Sequence, residues 1–227
     1  MALQHFCRFS DDKGIDYPVL GGGSARSYTH TFGTGKFANA IYCPWDTSQN
    51  IEFGASPYYF GKEVTVEWWM KLNNWGWAGN TRTGSYPPWI NNNLFGRAHN
   101  YGYNCQPDFW INNGTSLDIG YNGHGIYLTT TNAYIPADTW THIAWTKRDV
   151  DYTTRLYING TQVATQNNGQ TINGLYMGYF SPGGPIDYGA YGAYLWVCNA
   201  KIYNHAKTDF SDRFNERAGM NDTMICI

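Results

Sequence analysis

Two glutamates four residues apart are the first side chains that could do chemistry. They stand in Glu63-Val64-Thr65-Val66-Glu67, the start of a run to Leu72 whose alternation reads as a β-strand. On a strand, residues of one parity share a face. Val64, Val66, Trp68 and Met70 therefore form one row, and Thr65, Glu67, Trp69 and Lys71 the other, with Glu63 at its head. A pair of carboxylates is the minimum equipment for cleaving a glycosidic bond, and retention of configuration needs them roughly 5–5.5 Å apart. Cα atoms four residues apart along a strand are separated by roughly 13 Å, so these two would have to lean together. The competing reading, a Glu67 that pairs with Lys71 on the strand face, is preferred, because exposed ion pairs of this kind are common and structurally bland. No hydrolase activity is expected. The six histidines lack an i, i+4 helical pair and no cysteine cluster complements them, which argues against a metal enzyme. Nothing matches a G-x-S-x-G nucleophile elbow.

Residues 73–125 offer a different chemistry. Trp75, Trp77, Tyr86, Trp89, Phe95, Tyr101, Tyr103, Phe109, Trp110 and Tyr121 are interleaved there with asparagines, including Asn91, Asn92 and Asn93. A sugar stacks its CH-rich face on aromatic rings while amides and backbone groups bond its hydroxyls. Trp75, Trp77, Trp89, Tyr101 and Tyr103, near Asn91, Asn92 and Asn93, are the candidate ligand-binding set. The alternative is a second small core beneath the loops, the better reading for Trp75 or Trp110 taken singly. Pro87-Pro88 argues against a central strand at that point. Short strands are expected at 94–97, 109–111, 117–120 and 126–130, with long loop elsewhere. Long ordered loops in a compact domain carry function or an interface.

Composition limits the partners. The formal net charge is −2 with a pI near 6.3, which argues against nucleic acid and against anionic membrane. Charged residues make up 14% and aromatics 18%, a weakly charged, aromatic-rich make-up that suits neutral polar ligands such as glycans. No apolar run is long enough to span a bilayer. Met1 to Phe9 has no signal-peptide apolar core. The five cysteines are odd in number with no C-x-x-C, and read as free thiols. Sequons at Asn113, Asn159 and Asn221 are expected to be unused.

The elements that must position these residues follow from pattern. Trp140 to Arg148 alternates, Asp149, Asp151 and Tyr152 mark a turn, and Arg155 to Ile158 is rich in β-formers. Asn159-Gly160 can supply the two positive φ angles of a type I′ turn before Thr161 to Thr165 returns. That is a three-stranded antiparallel meander. Further strands are expected at 3–9, 50–53, 175–180 and 194–203. Thr208 is expected to cap a short helix carrying Phe210 and Phe214, stopped by Gly219, and 223–227 could pair with the first strand. Val66, Trp68, Ile143, Tyr157 and Trp196 are the expected core.

Trp140-Thr141-His142-Ile143-Ala144 followed by Leu156-Tyr157-Ile158-Asn159-Gly160 resembles the W-x-H-I/V-A and L-Y-I/V-N/D-G pair of laminin-G-like (concanavalin A-like) jelly rolls. Similar family patterns recur at Gly35 to Tyr42, at Val64-Thr65-Val66-Glu67-Trp68-Trp69-Met70-Lys71, and at Ile202-Tyr203-Asn204-His205-Ala206. The acidic pair that usually precedes the last of these is replaced by Val197-Cys198-Asn199. The resemblance implies an all-β fold in one domain, 1–227: a two-sheet antiparallel sandwich of jelly-roll, concanavalin A-like type, with 73–125 as a loop-rich insertion and a short C-terminal helix. It implies a structural role for His142. Some glycosidases of this fold carry E-x-D-x-E; here Thr65 replaces the central Asp. Many relatives bind one structural Ca²⁺ through Asp, Asn and carbonyl oxygens. Asp108, Asp118 and Asp151 are the loop candidates for it, although no D-x-D-x-D run appears, and the bland reading is that they cap turns.

The resulting expectation is a non-enzymatic, lectin-like recognition module that binds a glycan or cell-surface polysaccharide. A domain of this kind without a signal peptide needs another route outside a cell, and a place on a virus or phage particle, with virion proteins or further copies as partners, is one such route. The alternatives are a purely structural capsid-decoration or fibre protein, and a polysaccharide-cleaving enzyme of the concanavalin A-like fold.

Overall fold

A computed structural model describes residues 3–7, 25–26, 31–43, 51–53, 58–59, 61–72, 92–95, 107–112, 116–121, 127–129, 135–136, 138–167, 169–172, 176–177, 179–180 and 195–218. The strands are β1 (Leu3–Cys7), β2 (Ala25–Arg26), β3 (Thr31–Thr34), β4 (Asn39–Cys43), β5 (Ile51–Phe53), β6 (Tyr58–Tyr59), β7 (Glu63–Leu72), β8 (Asn92–Phe95) and β9 (Pro107–Asn112). They continue as β10 (Ser116–Tyr121), β11 (Tyr127–Thr129), β12 (Thr141–Arg148), β13 (Thr153–Ile158), β14 (Thr161–Asn167), β15 (Tyr176–Met177), β16 (Tyr179–Phe180) and β17 (Leu195–Tyr203). The fold is an all-β antiparallel sandwich of jelly-roll type. Its largest sheet has eight strands in the order β14-β13-β12-β7-β17-β4-β3, with β1 also paired to β17. A four-stranded sheet, β11-β10-β9-β8, is built largely from the 73–125 insertion, with its strands at the positions expected near 94–97, 109–111, 117–120 and 126–130. Two smaller sheets, β15-β6 and β16-β5-β2, complete the described pairing. Among the described residues no helix is long and apolar enough to cross a membrane.

The meander forms as its sequence predicts. Asn159 (φ 51°) and Gly160 (φ 82°) link β13 to β14, with Ile158 opposite Thr161. Asn159 does more than turn the chain. Its amide nitrogen donates to the His142 carbonyl (2.8 Å), and its side-chain oxygen accepts from the His142 amide (3.0 Å), fastening the turn to β12. The first strand also lies where expected, with Phe6 opposite Lys201 on β17; the expected pairing of 223–227 falls outside the described residues.

β7 is buried along both faces, because it lies mid-sheet and each face is covered. Val64, Val66, Trp68 and Met70 join Ile143, Trp145, Leu156, Val197 and Ile202, all at 0–1% exposure, in the apolar core. Register places them together: Trp68 stands opposite Ile143, and Val66 opposite both Trp145 and Ile202. Trp196, expected in this core, is instead half-buried on the other face, beside Lys71 and Tyr42.

β17 holds a bulge between Cys198 and Lys201, where Asn199 takes φ 53°. An extra residue in one strand shifts the parity of everything after it. Upstream of the bulge, Cys198 faces Trp69; downstream, Lys201 faces Glu67 and Tyr203 faces Thr65. Without it Lys201 would fall on the apolar core face.

The expected C-terminal helix is a single 3-10 turn, Ser211–Phe214. Thr208 does not cap it; the Asp209 carboxylate accepts from the Ser211 amide (2.8 Å). Phe210 is buried at 1%, and Phe214 is 56% exposed. The segment 204–218, here termed the strap, lies across the outer face of β7. It also makes demands on the meander turn. A Cβ added at Gly160 would sit 3.0 Å from Arg213 Nη1, whereas one added at Gly169 (φ 69°) meets nothing within 4 Å. Left-handed backbone costs a non-glycine residue about 1–2 kcal/mol. Gly160→Ala is therefore expected to lower the urea midpoint by at least this strain, and by more than Gly169→Ala, which carries the strain without the contact. Equal midpoints for the two variants would contradict the Arg213 contact.

Candidate functional site

The outer-face residues of β7, which first suggested a hydrolytic pair, hold the strap. Glu63 Oε2 accepts from the Ala206 amide (3.2 Å). The Thr65 hydroxyl donates to the His205 carbonyl (2.6 Å) and accepts from the Lys207 amide (2.8 Å). Glu67 accepts from Lys207 Nζ (3.2 Å) through Oε2 and from the Tyr203 hydroxyl (3.1 Å) through Oε1. Trp69 Nε1 donates to the Arg213 carbonyl (3.2 Å). Four residues of one parity thus meet four positions of the strap. The ion partner of Glu67 is Lys207, not Lys71, and Glu67 is 3% exposed. A Lys71 partner would have left the carboxylate at the surface; the strap instead brings its own cation down onto it.

The surrounding groups are tuned by this burial. Burial lowers the Lys201 ammonium to about 8, against the pull of Glu67; its Nζ donates to the Ala218 (3.2 Å) and Asn215 (3.4 Å) carbonyls. The Tyr203 phenol is raised by burial and by the adjacent Glu67. His142 is pushed down to about 3, first by burial and then by Lys207, Arg213 and Lys201. Its Nε2 lies 3.8 Å from Glu67 Oε2, a contact that alone would favour the charged ring, but burial beside three cations outweighs it. Cys198, a free buried thiol, is raised to about 12 by burial and so is no nucleophile at neutral pH. The cluster has the charges of a catalytic site, but its Glu67 carboxylate is covered and bonded to Lys207 Nζ and the Tyr203 hydroxyl, and its histidine is neutral.

The sequence candidates lie elsewhere. Trp75, Trp77, Trp89, Asn91, Tyr101 and Tyr103 are outside the described residues. Asn92 and Asn93 stand on β8, opposite Ile111 and Trp110 of β9. Asp108 and Asp118 are on strands and not in loops: Asp108 is opposite Gly120, and Asp118 opposite Trp110 and Thr129. Asp151 is far along the chain, in the β12–β13 turn. Arg148 binds its carboxylate from both Nε and Nη2, and Thr153 donates to it from amide (3.2 Å) and hydroxyl (2.7 Å). Those bonds hold the Asp151 carboxyl well below the usual carboxylate range. Among the described residues no group of three His, Cys, Asp or Glu side chains could hold a metal ion.

A second surface was not singled out from the sequence. At the end of the outer face, beyond the strap, Trp196 stands opposite both Tyr42 and Lys71, and Trp140 directly precedes β12 beside them. All four are half-buried. Tyr42 and Trp196 are 4.9 Å apart between ring centroids, and Lys71 Nζ lies 5.7 Å from the Trp140 ring and 5.9 Å from the Trp196 ring. The parity of Trp69 and Lys71 hinted at this row, but its cross-strand members depend on register.

Two outcomes test the buried cluster. Lys207→Met leaves Glu67 buried without its cation and is expected to cost about 3–5 kcal/mol; the double variant Glu67→Leu, Lys207→Met should recover much of that loss, read by urea denaturation. The His142 ring is neutral when folded, with its proton affinity moved from 6.5 to about 3. Its contribution is present above pH 6.5 and is lost as pH falls from there through about 3, because the unfolded chain takes up a proton that the fold refuses. Stability should fall by up to about 1.4 kcal/mol per pH unit in that window, and His142→Gln should flatten the slope.

The geometry can be set beside known proteins. A family model described as the concanavalin A-like lectin/glucanases superfamily, of laminin-G type, matches residues 46–208. Comparison with curated protein sequences gives no match. Among solved structures, the chain is similar to Trypanosoma rangeli sialidase (TM-score 0.62, 12% identity), covering 98% of this chain but only 33% of the sialidase. It is also similar to domain 4 of AbnA, an extracellular arabinanase from Geobacillus stearothermophilus in complex with arabinotriose (TM-score 0.61, 16% identity), covering 96% of this chain and 100% of that domain. The receptor-binding domain of botulinum neurotoxin C/D mosaic serotype is a third (TM-score 0.61, 12% identity, 91% and 48% coverage). At these identities the likeness shows the fold alone. The matched family model spans most of the residues, and the chain belongs to the concanavalin A-like lectin/glucanases superfamily.

Proposed function

We propose that this protein is a non-enzymatic, lectin-like recognition module for a glycan or cell-surface polysaccharide. The observation that carries the reading is the use of Glu63, Thr65 and Glu67 to hold the strap, which leaves the strand that could have borne a hydrolytic pair without a free carboxylate at Glu67. Similarity to an arabinanase domain in complex with arabinotriose and to a toxin receptor-binding domain supports recognition; similarity to part of a sialidase adds a glycan-active neighbour of the same fold. The aromatic and asparagine residues of 73–125, with Trp75, Trp77, Trp89, Asn91, Asn92, Asn93, Tyr101 and Tyr103 at their centre, supply the contacts.

A glycan array with and without EDTA is the first test, and its EDTA arm reads any contribution of calcium held by Asp108, Asp118 or Asp151. Truncating one stacked ring should cost about 1–3 kcal/mol of affinity, in line with well-packed aromatic contacts. Trp77→Ala and Trp89→Ala should weaken glycan binding with little change in melting temperature. An unchanged affinity with altered oligomer mass would favour an assembly interface, and a pure stability loss in both would end the reading. Release of reducing ends from a polysaccharide, abolished by Glu67→Gln, would establish the enzyme instead.

A further inference from the structure

Lys71 is the next member of the row that fastens the strap, and the strap does not reach it. Glu63, Thr65, Glu67 and Trp69 each bond a strap atom, whereas Lys71 lies between the Trp140 and Trp196 rings. Among the described residues it forms no ion pair, although this chain carries more acidic than basic side chains. The row is also held flat from beside it. A Cβ at Gly33 would come within 2.5 Å of Trp196 Cη2, so glycine there is what lets the indole lie against β3. Two indoles, packed against the Trp69 cluster and flanking an ammonium at under 6 Å, present stacking area and a positive charge that has no ion-pair partner among the described residues, on a single half-buried platform.

We infer that the Trp140–Lys71–Trp196 platform binds a pyranose that carries a carboxylate, a uronic or sialic acid residue of a glycan. The ring's CH face lies on an indole, and the carboxylate pairs with Lys71 Nζ. The charge selects the ligand. A neutral sugar could use the rings, but it would leave the ammonium partly desolvated with no new partner, whereas an acidic sugar supplies the missing anion. This rests on the glycan-binding reading but places the contact on the described sheet, outside the residues of 73–125 assigned to it above.

The test is a tryptophan-fluorescence titration of the full chain with oligogalacturonate, its methyl ester, and sialyllactose. At least one acidic probe should bind, the two arms separating a uronic from a sialic source. Lys71→Gln should weaken it about tenfold or more, Lys71→Arg should largely restore it, and Trp140→Ala should remove it. The methyl ester should bind no better to wild type than to Lys71→Gln. Added salt should weaken the acidic probe, as it does for exposed charge pairs. Failure of both acids to bind, or equal binding to wild type and a folded Lys71→Gln, would overturn the inference. Trp77→Ala separates the two sites: glycan binding lost there and kept in Lys71→Gln sinks this platform while leaving the insertion reading intact, and the reverse pattern does the opposite.

Discussion

The buried carboxylate of Glu67 constrains the outer half of this molecule. A charge at 3% exposure in mid-sheet is costly unless it is paired and its lone pairs are bonded. Neither β12 nor β17 alone can meet that need. The Tyr203 hydroxyl takes one oxygen, but the cation on the other arrives from Lys207, four residues past the last strand. The strap must therefore close over the sheet for the sheet itself to be tolerable, and its closure buries Phe210 against Ala144 and Tyr157. Removing the charge together with its partner is a smaller change than removing either one.

That dependence explains how a strand can resemble part of a glycosidase motif and serve another purpose. Alternation brings Glu63, Thr65 and Glu67 to one face in any strand of this sequence. Whether they meet substrate or protein depends on what covers the face. Here the backbone of 205–207 supplies two donors and an acceptor at the spacing of the row, and Thr65, standing where a central Asp would be, makes two of the bonds. A neutral hydroxyl can both give and accept there; an ionised carboxylate would repel the His205 carbonyl. The substitution that breaks the catalytic pattern is thus the one the strap requires.

Beyond the strap the same face changes character. Its polar row gives way to Tyr42, Trp196, Lys71 and Trp140, which lie where β4 and β7 end and β12 and β17 begin. Strand ends gather residues distant in sequence into one surface, which is how such a fold varies its ligand without disturbing its core. Insertion 73–125 leaves the sheet at this same end, directly after Leu72.

Local pattern alone determined much of this chain. The meander needed only the alternation of 140–148, the β-formers of 155–158 and an Asn-Gly pair, since all three act within a few residues. The apolar parity of β7, the first strand and the family membership were legible for the same reason. What the sequence could not decide was anything set by register between distant strands. The bulge at Asn199 moves Lys201 and Tyr203 from one face to the other, so a reading by parity places them wrongly or not at all. Lys207 as the partner of Glu67, the single 3-10 turn in place of a capped helix, and the half-buried position of Trp196 were likewise fixed only when the strap and β17 settled against β7. Periodicity encodes which residues share a face; only the assembled sheet says which face, and what lies on top of it.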